Sequence, residues 1–299
     1  MRVTESADNE GTREAMVLAQ RRFFDEVMGS RPVPDDVRMS PMELGGVAIL
    51  QVIIDGLEPR GTMLWFHGGG YIAASPRTAI APAANVARAA KVRVLSVDYR
   101  LAPEHPFPAA VLDALTAYRA LLREVPVGQI VVGGESAGGG LVIAMLIAAR
   151  AAGLPMPRAV VTFSPLTDLT LSGESTTSKA DVDPVLSVER LRETVAAYIG
   201  GSDVTLPLLS PLFADLTKLP PLLIQVGSFE ILLDDSVRLA ARAAAVDVAV
   251  ILQVVPKMQH VFQSGDADLA LAADALEDVG SFINRHLKKR PVRRGGGND

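Results

Sequence analysis

The middle of this chain alternates short β-branched runs with longer stretches rich in alanine and leucine, and that alternation restricts the fold more than any other feature. The spacing predicts strands over Val47–Ile54, Thr62–Phe66, 92–97, 129–132, 159–163, 222–226 and 248–255. Between them it predicts helices over 77–90, 108–122, 137–152, 232–245 and 267–286. Several strand runs are continuously apolar and bounded by Gly or Pro, as parallel strands covered on both faces must be. Strands joined by crossover helices build an open, twisted α/β sheet. With 49% hydrophobic residues in 299, the chain can bury one large interior with a smaller appendage.

Two stretches interrupt the alternation. In 12–29, Met16, Ala19, Gln20, Phe23, Phe24, Val27 and Met28 form one face of an amphipathic helix. The stretch 172–207 is rich in Ser, Thr, Asp and Pro and carries one helix near 188–198. Neither can fold alone, and together they are expected to form a small helical cap where ligands bind, at the C-terminal edge of the sheet. The expected organisation is a cap segment (1–40), a core in two parts (41–171 and 208–287), a second cap segment (172–207) and a basic, Gly-rich tail (288–299). Phe23, Phe24 and Met28 are candidate substrate-lining residues.

The formal net charge of −5 argues against a nucleic-acid surface. No cysteine is present, which excludes disulfides and thiolate chemistry. Residues 1–15 lack the apolar segment of a leader, and the run from Leu141 to Ala149 is far short of the roughly 20 residues of a membrane span. A cytoplasmic protein without a membrane span is the expectation.

Gly134-Glu135-Ser136-Ala137-Gly138 lies between a predicted buried strand and a predicted buried helix. In that context G-x-S-x-G puts the serine on a sharp elbow with its hydroxyl projecting from the sheet. Ser136 is therefore a candidate nucleophile. His67-Gly68-Gly69-Gly70 follows the strand Thr62–Phe66, and its glycines let backbone N–H groups turn toward a ligand. The N–H groups of Gly69, Gly70 and Ala137 are candidate oxyanion donors. A serine nucleophile needs a base, and there are four histidines. His67 belongs to the glycine loop, His105 to a proline-rich loop, and His286 to the end of the last helix. His260, in the loop after the last strand, is left as the base. The carboxylates beyond strand 222–226 are Glu230, Asp234 and Asp235, any of which could orient the imidazole.

On these residues the chain resembles the hormone-sensitive-lipase-like branch of the α/β-hydrolases, also called the bacterial family IV esterases. The resemblance rests on His67–Gly70, Asp98–Pro108, Gly134–Gly138, 227–235 and His260, in that order, and spans roughly residues 40–287. It implies an α/β-hydrolase fold, with a mostly parallel twisted sheet flanked by helices. It also implies a carboxylesterase that forms a serine acyl-enzyme on short- to medium-chain acyl esters, with no cofactor or metal. The family's Asp-Pro-Leu-x-Asp-Glu segment, laid on Glu230–Asp235, makes Glu230 the expected acid and Asp234 the alternative. Asp98–Pro108 is expected to be structural. A non-catalytic receptor on the same fold and a serine amidase or lactonase are the rival readings. The strand 248–255 is expected at a sheet edge, where two copies could pair into a homodimer.

Overall fold

A computed structural model describes residue 11 and residues 15–265 and 270–287; the tail expected at 288–299 lies outside the described residues. Eight strands form one sheet: β1 (Val37–Leu44), β2 (Val47–Ile54), β3 (Thr62–Phe66), β4 (Arg93–Val97), β5 (Ile130–Glu135), β6 (Val160–Phe163), β7 (Leu222–Gly227) and β8 (Val250–Val255). Their order is β1-β2-β4-β3-β5-β6-β7-β8. β2 runs antiparallel to β1 and β4, and every other pairing is parallel. The expected α/β architecture is therefore present. β8 sits at the sheet's edge, with Ile251 and Val254 about two-fifths exposed (40% and 41%).

β1 is a strand that the apolar pattern does not reveal. Its sequence VRMSPMEL buries only its two end residues, and Pro41 is tolerable because β1 lies at the other edge. The signal that finds it is Gly45-Gly46 (φ +63° and +88°), which joins β1 to β2 as a two-residue hairpin turn. The strand also crosses residue 40, where the sequence suggested that a cap segment ends.

Helices cover both faces. On one side α2 (Ile80–Ala90) and α8 (Ala270–His286) pack over Met63, Trp65, Val131 and Val161. On the other, α3 (Ala109–Glu124), α4 (Ala137–Ala151) and α7 (Leu233–Ala244) bury Leu64, Leu95 and Val132. Burying one such side chain contributes about 1.5–3 kcal/mol. α4 is apolar on nearly every side because it lies against the sheet beneath the rest of the molecule. Its first turn crosses close to β3. A Cβ on Gly138 would fall 2.0 Å from the Phe66 carbonyl oxygen, so only glycine permits the approach.

Two further pieces lie outside the sheet-and-helix layers. The N-terminal helix α1 (15–28) widens to a π-helix over Phe23–Met28, which changes the face inferred from α-helical spacing. Val17 is buried, and Met16 and Phe24 pack on the core, while Phe23 and Val27 are about half exposed (51% and 48%). The second piece contains the single turn α5 (Ser175–Ser178) and the helix α6 (Val188–Ile199). The Ser187 hydroxyl accepts the Arg190 N–H at the start of α6, and Gly200 ends the helix in the left-handed region (φ +57°). α6 docks through Tyr198, whose ring stacks on Tyr71 at 3.8 Å.

Candidate active site

Parallel register brings the two glycine motifs together. Phe66, the last residue of β3, pairs with Gly134 in β5, so the loop after β3 and the elbow after β5 emerge side by side. Ser136 sits at the elbow with φ +55° and ψ −124°, a conformation that non-glycine residues rarely adopt. Its backbone is fixed by a hydrogen bond from its own N–H to the Phe163 carbonyl (2.9 Å). Its carbonyl in turn accepts the N–H groups of Gly140 (3.2 Å) and Leu166 (2.9 Å). Such strain persists because the surroundings over-determine it, and it clusters at functional sites.

Ser136 Oγ lies 2.9 Å from His260 Nε2, and His260 Nδ1 lies 2.8 Å from Glu230 Oε2. Glu230 is fully buried. Its other oxygen, Oε1, accepts the Gly227 N–H (2.6 Å) and the Ser164 hydroxyl (2.7 Å). Nδ1–H therefore points at a carboxylate with no freedom to turn away, which leaves Nε2 as the acceptor facing the serine hydroxyl. Asp234 and Asp235 make their bonds elsewhere. The Asp234 carboxylate accepts the Ser175 N–H (2.9 Å), and Asp235 accepts the N–H groups of Thr167 (2.6 Å) and Asp168 (2.8 Å). Burial pushes the Asp235 carboxyl up to about 7.

The loop 67–70 lies beside the serine: a Cβ on Gly68 would fall 3.1 Å from that of Ser136. Among the described residues the N–H groups of Gly69, Gly70 and Ala137 donate to no protein acceptor. Several of the loop's other polar groups are engaged, while the buried His67 Nε2 has no partner among the described residues. The Gly68 N–H donates to Glu135 Oε1 (2.9 Å), the Tyr99 hydroxyl donates to the His67 carbonyl (2.8 Å), and His67 Nδ1 donates to the Gly68 carbonyl (2.8 Å). His67 is wholly buried with its ring stacked on Tyr99, and burial lowers its pKa to about 4, so it is neutral and structural. Burial pushes the Glu135 carboxyl up to about 8. Gly69 has φ +101°, and a Cβ there would fall 2.2 Å from the Ala73 carbonyl oxygen.

The other sequence candidates lie as follows. Asp98–Pro108 supplies Tyr99 to the glycine loop, ties Arg100 to Asp113 (2.8 Å) and offers Glu104 to Arg21 of α1 (2.6 Å). His286 ends α8 with Nδ1 on the Phe282 carbonyl (2.9 Å). Phe23 and Phe24 pack edge to face at 5.7 Å; Phe24 and Met28 are part-buried. Three participants escaped sequence reasoning: Tyr99, Ser164 and Glu135. Ser164 meets the site only through the sheet's register, which no local motif records; Tyr99 stands in the Asp98–Pro108 stretch expected to be structural, but its bond to His67 follows from the register. Glu135 stands inside the serine motif and could have been questioned as an acid beside a nucleophile.

A hydroxyl, an imidazole and a carboxylate in one hydrogen-bonded row, beside a glycine loop with amides free to donate among the described residues, can carry nucleophilic acyl transfer. Comparison with known proteins agrees with that chemistry. The family profile of the α/β-hydrolase fold matches residues 63–264. An acetyl-hydrolase of Streptomyces hygroscopicus is 42% identical over 223 residues, covering 74% of this chain and 75% of its own. An esterase of Acinetobacter venetianus is 35% identical over 269 residues, 88% of each chain. The crystal structure of an esterase from the bacterial hormone-sensitive lipase family superposes with a TM-score of 0.87 at 40% identity, covering 94% of this chain and 99% of that one. The chain belongs to the α/β-hydrolase family, on its hormone-sensitive-lipase branch, and is a carboxylesterase.

Proposed function

We propose that this carboxylesterase cleaves small-molecule esters of short- to medium-chain acids through an acyl-enzyme on Ser136. Ser136 Oγ attacks the ester carbonyl carbon as His260 Nε2 takes the hydroxyl proton. Glu230 holds the imidazole in the required tautomer and stabilises its protonated form. The N–H groups of Gly69, Gly70 and Ala137 receive the oxyanion, each being worth about 2.7–4 kcal/mol of barrier. His260 then gives its proton to the departing alkoxide oxygen, which leaves as the alcohol. Water, deprotonated by the same imidazole, attacks the acyl-enzyme and releases the acid.

The observation that carries this reading is the hydrogen-bonded row Glu230–His260–Ser136, beside a loop and helix start whose Gly69, Gly70 and Ala137 N–H groups have no protein acceptor among the described residues. Covalent labelling of Ser136 by an organophosphate separates an activated nucleophile from a receptor's inert serine. A chain-length series of p-nitrophenyl esters tests the rest. Ser136→Ala and Glu230→Ala are expected to lose activity, and Asp234→Ala to lose far less, because Asp234 bonds Ser175 and not the imidazole. Butyrate is expected to turn over much faster than palmitate; the reverse order overturns the small acyl pocket. Residues 15–36 and 172–207 act as caps over the core, with Phe23, Phe24 and Met28 bordering the acyl side.

Two features concern the molecule as a whole. β8 is an edge strand with Ile251 and Val254 turned outward, and two copies pair along it into a homodimer; a monomer by light scattering overturns this. The enzyme works in the cytoplasm, which fractionation tests. No helix among the described residues is long and apolar enough to cross a membrane.

A further inference from the structure

The peptide that follows Glu230 is held from outside the core. Ile231 is fully buried, so both its N–H and its carbonyl need partners inside the protein. Asp183 Oδ2 accepts the Ile231 N–H at 2.8 Å across 48 residues of chain. The other oxygen, Oδ1, accepts the N–H groups of Val185 (2.8 Å) and Leu186 (2.9 Å), which fixes the aspartate in a turn at the foot of α6. Ser175 Oγ donates to the Ile231 carbonyl (2.7 Å) and accepts the Asp234 N–H (3.0 Å). The Asp234 carboxylate closes the ring by accepting the Ser175 N–H (2.9 Å). The core holds the Glu230 carboxylate through Gly227 and Ser164, but these bonds leave the following peptide unpartnered.

We propose that Asp183 and Ser175 of the second cap segment are positioning residues that clamp the 230–234 turn and set Glu230 against His260. The proposal rests on Glu230 being the triad acid. It gives the cap a part in the chemistry beside that of a cover, and it explains why Asp234 stands beside the acid without touching the imidazole. When the clamp is lost, a buried N–H and a buried carbonyl lose their partners, and the turn shifts to recover them. A displaced carboxylate orients the imidazole less well while the acyl pocket keeps its shape.

The test measures kcat and KM on p-nitrophenyl acetate and hexanoate for Asp183→Ala, Ser175→Ala, Glu230→Ala and both pairwise combinations with Glu230→Ala. Active sites are counted by organophosphate titration, so that misfolded protein does not enter kcat. Asp183→Ala and Ser175→Ala are each expected to lower kcat about tenfold, equally on both esters, with KM within about twofold. In the Glu230→Ala background neither lowers kcat further, because the group they position is gone. Asp203→Ala is the control: its carboxylate holds a comparable turn at Thr205 (2.9 Å) without touching the acid loop, and it keeps wild-type kcat. Changes confined to KM or to the ranking of the esters, or losses that multiply with that of Glu230→Ala, overturn the clamp. Wild-type kcat in Glu230→Ala overturns the acid assignment itself. Loss in Glu230→Ala with Asp183→Ala and Ser175→Ala intact overturns the clamp alone.

Discussion

The two sides of Ser136 are built from different materials. On the imidazole side the polar atoms are side chains tied to one another: Ser136, His260, Glu230 and Ser164 form a continuous row of hydrogen bonds. On the glycine side the groups we propose for the oxyanion are amides that donate to no acceptor among the described residues, in a loop held by steric necessity and by neighbours on several of its other polar groups. The first side has paid its desolvation cost by internal pairing and is poised to move a proton. On the reading proposed above, the second keeps its donors for a charge that exists only during reaction, which is how preorganised electrostatics lower a barrier. Side-chain truncation should therefore break the first side cleanly, whereas the second yields only to changes that alter the backbone.

The largest effect belongs to the imidazole side. His260→Ala and Ser136→Ala are each expected to lower kcat by about 10⁴ or more, the two together costing little beyond either alone, since both serve one proton transfer. Steady-state kinetics on p-nitrophenyl butyrate, with folded protein confirmed by circular dichroism, checks this. Next comes Gly69→Ala, where a Cβ must displace the Ala73 carbonyl from 2.2 Å. The loop moves, a donor leaves the oxyanion, and kcat falls by about 10²–10³. Ser136 still reacts with the organophosphate in this variant, though more slowly. An unreactive serine would mean that the glycine side also organises the nucleophile, erasing the distinction between the two.

How much of this could be read from sequence follows the same division. The elbow and the glycine loop are contiguous motifs with strand and helix on their flanks, so Ser136, Gly69, Gly70 and Ala137 stand out before any coordinates exist. His260 follows from its place after the last strand and from the scarcity of histidines. The acid was harder, because Glu230, Asp234 and Asp235 all follow β7 and only tertiary geometry separates them: Glu230 faces the imidazole, while Asp234 and Asp235 bond to Ser175 and to the loop after β6. The supports were invisible. Tyr99 reaches the His67 carbonyl because β3 and β4 are neighbours, and Ser164 reaches Glu230 because β6 and β7 are; neither adjacency leaves a mark in local sequence. β1 was missed for a related reason, being an edge strand that buries too little to show a period of two. At α1 the spacing assumed 3.6 residues per turn, and a π-helical stretch moved the face.

A smaller effect tests the acid buried beneath the glycine loop. Burial holds the Glu135 carboxyl at about 8, above its ordinary value of 4.5. Between those values the folded protein keeps a proton that the unfolded chain releases, so stability falls as pH rises through the window and is fully present only below it. Glu135→Gln cannot ionise, and its amide oxygen can still accept the Gly68 N–H. The variant should therefore lose less stability than the wild type between pH 5 and pH 9, by about 3–6 °C in Tm. Parallel Tm curves for the two proteins would mean that the carboxyl ionises without penalty and that the glycine side is wetter than its burial implies.

The smallest effect concerns what covers the glycine side. Arg21 of α1 gives Nε to the Ile72 carbonyl (2.8 Å) and a second nitrogen to the Ala102 carbonyl (3.0 Å), while its guanidinium grips the Glu104 carboxylate at 2.6 Å. That grip holds Glu104 down to about 2. A lowered carboxyl contributes stability that is present above its unfolded value and fades as pH falls toward the folded one, so the attachment weakens below about pH 4.5. The Glu104 side chain is 54% exposed, and exposed pairs contribute at most about 1 kcal/mol, less in high salt. Arg21→Ala is therefore expected to lower Tm by about 2–4 °C at pH 7. The deficit should shrink in 1 M salt and below pH 4. On activity it should raise KM by a few-fold while leaving kcat nearly unchanged, because α1 covers the loop but supplies none of its donors. A fall in kcat with KM unmoved would show instead that the cap helps to aim the amides, and the glycine side would then depend on side chains as much as the imidazole side does.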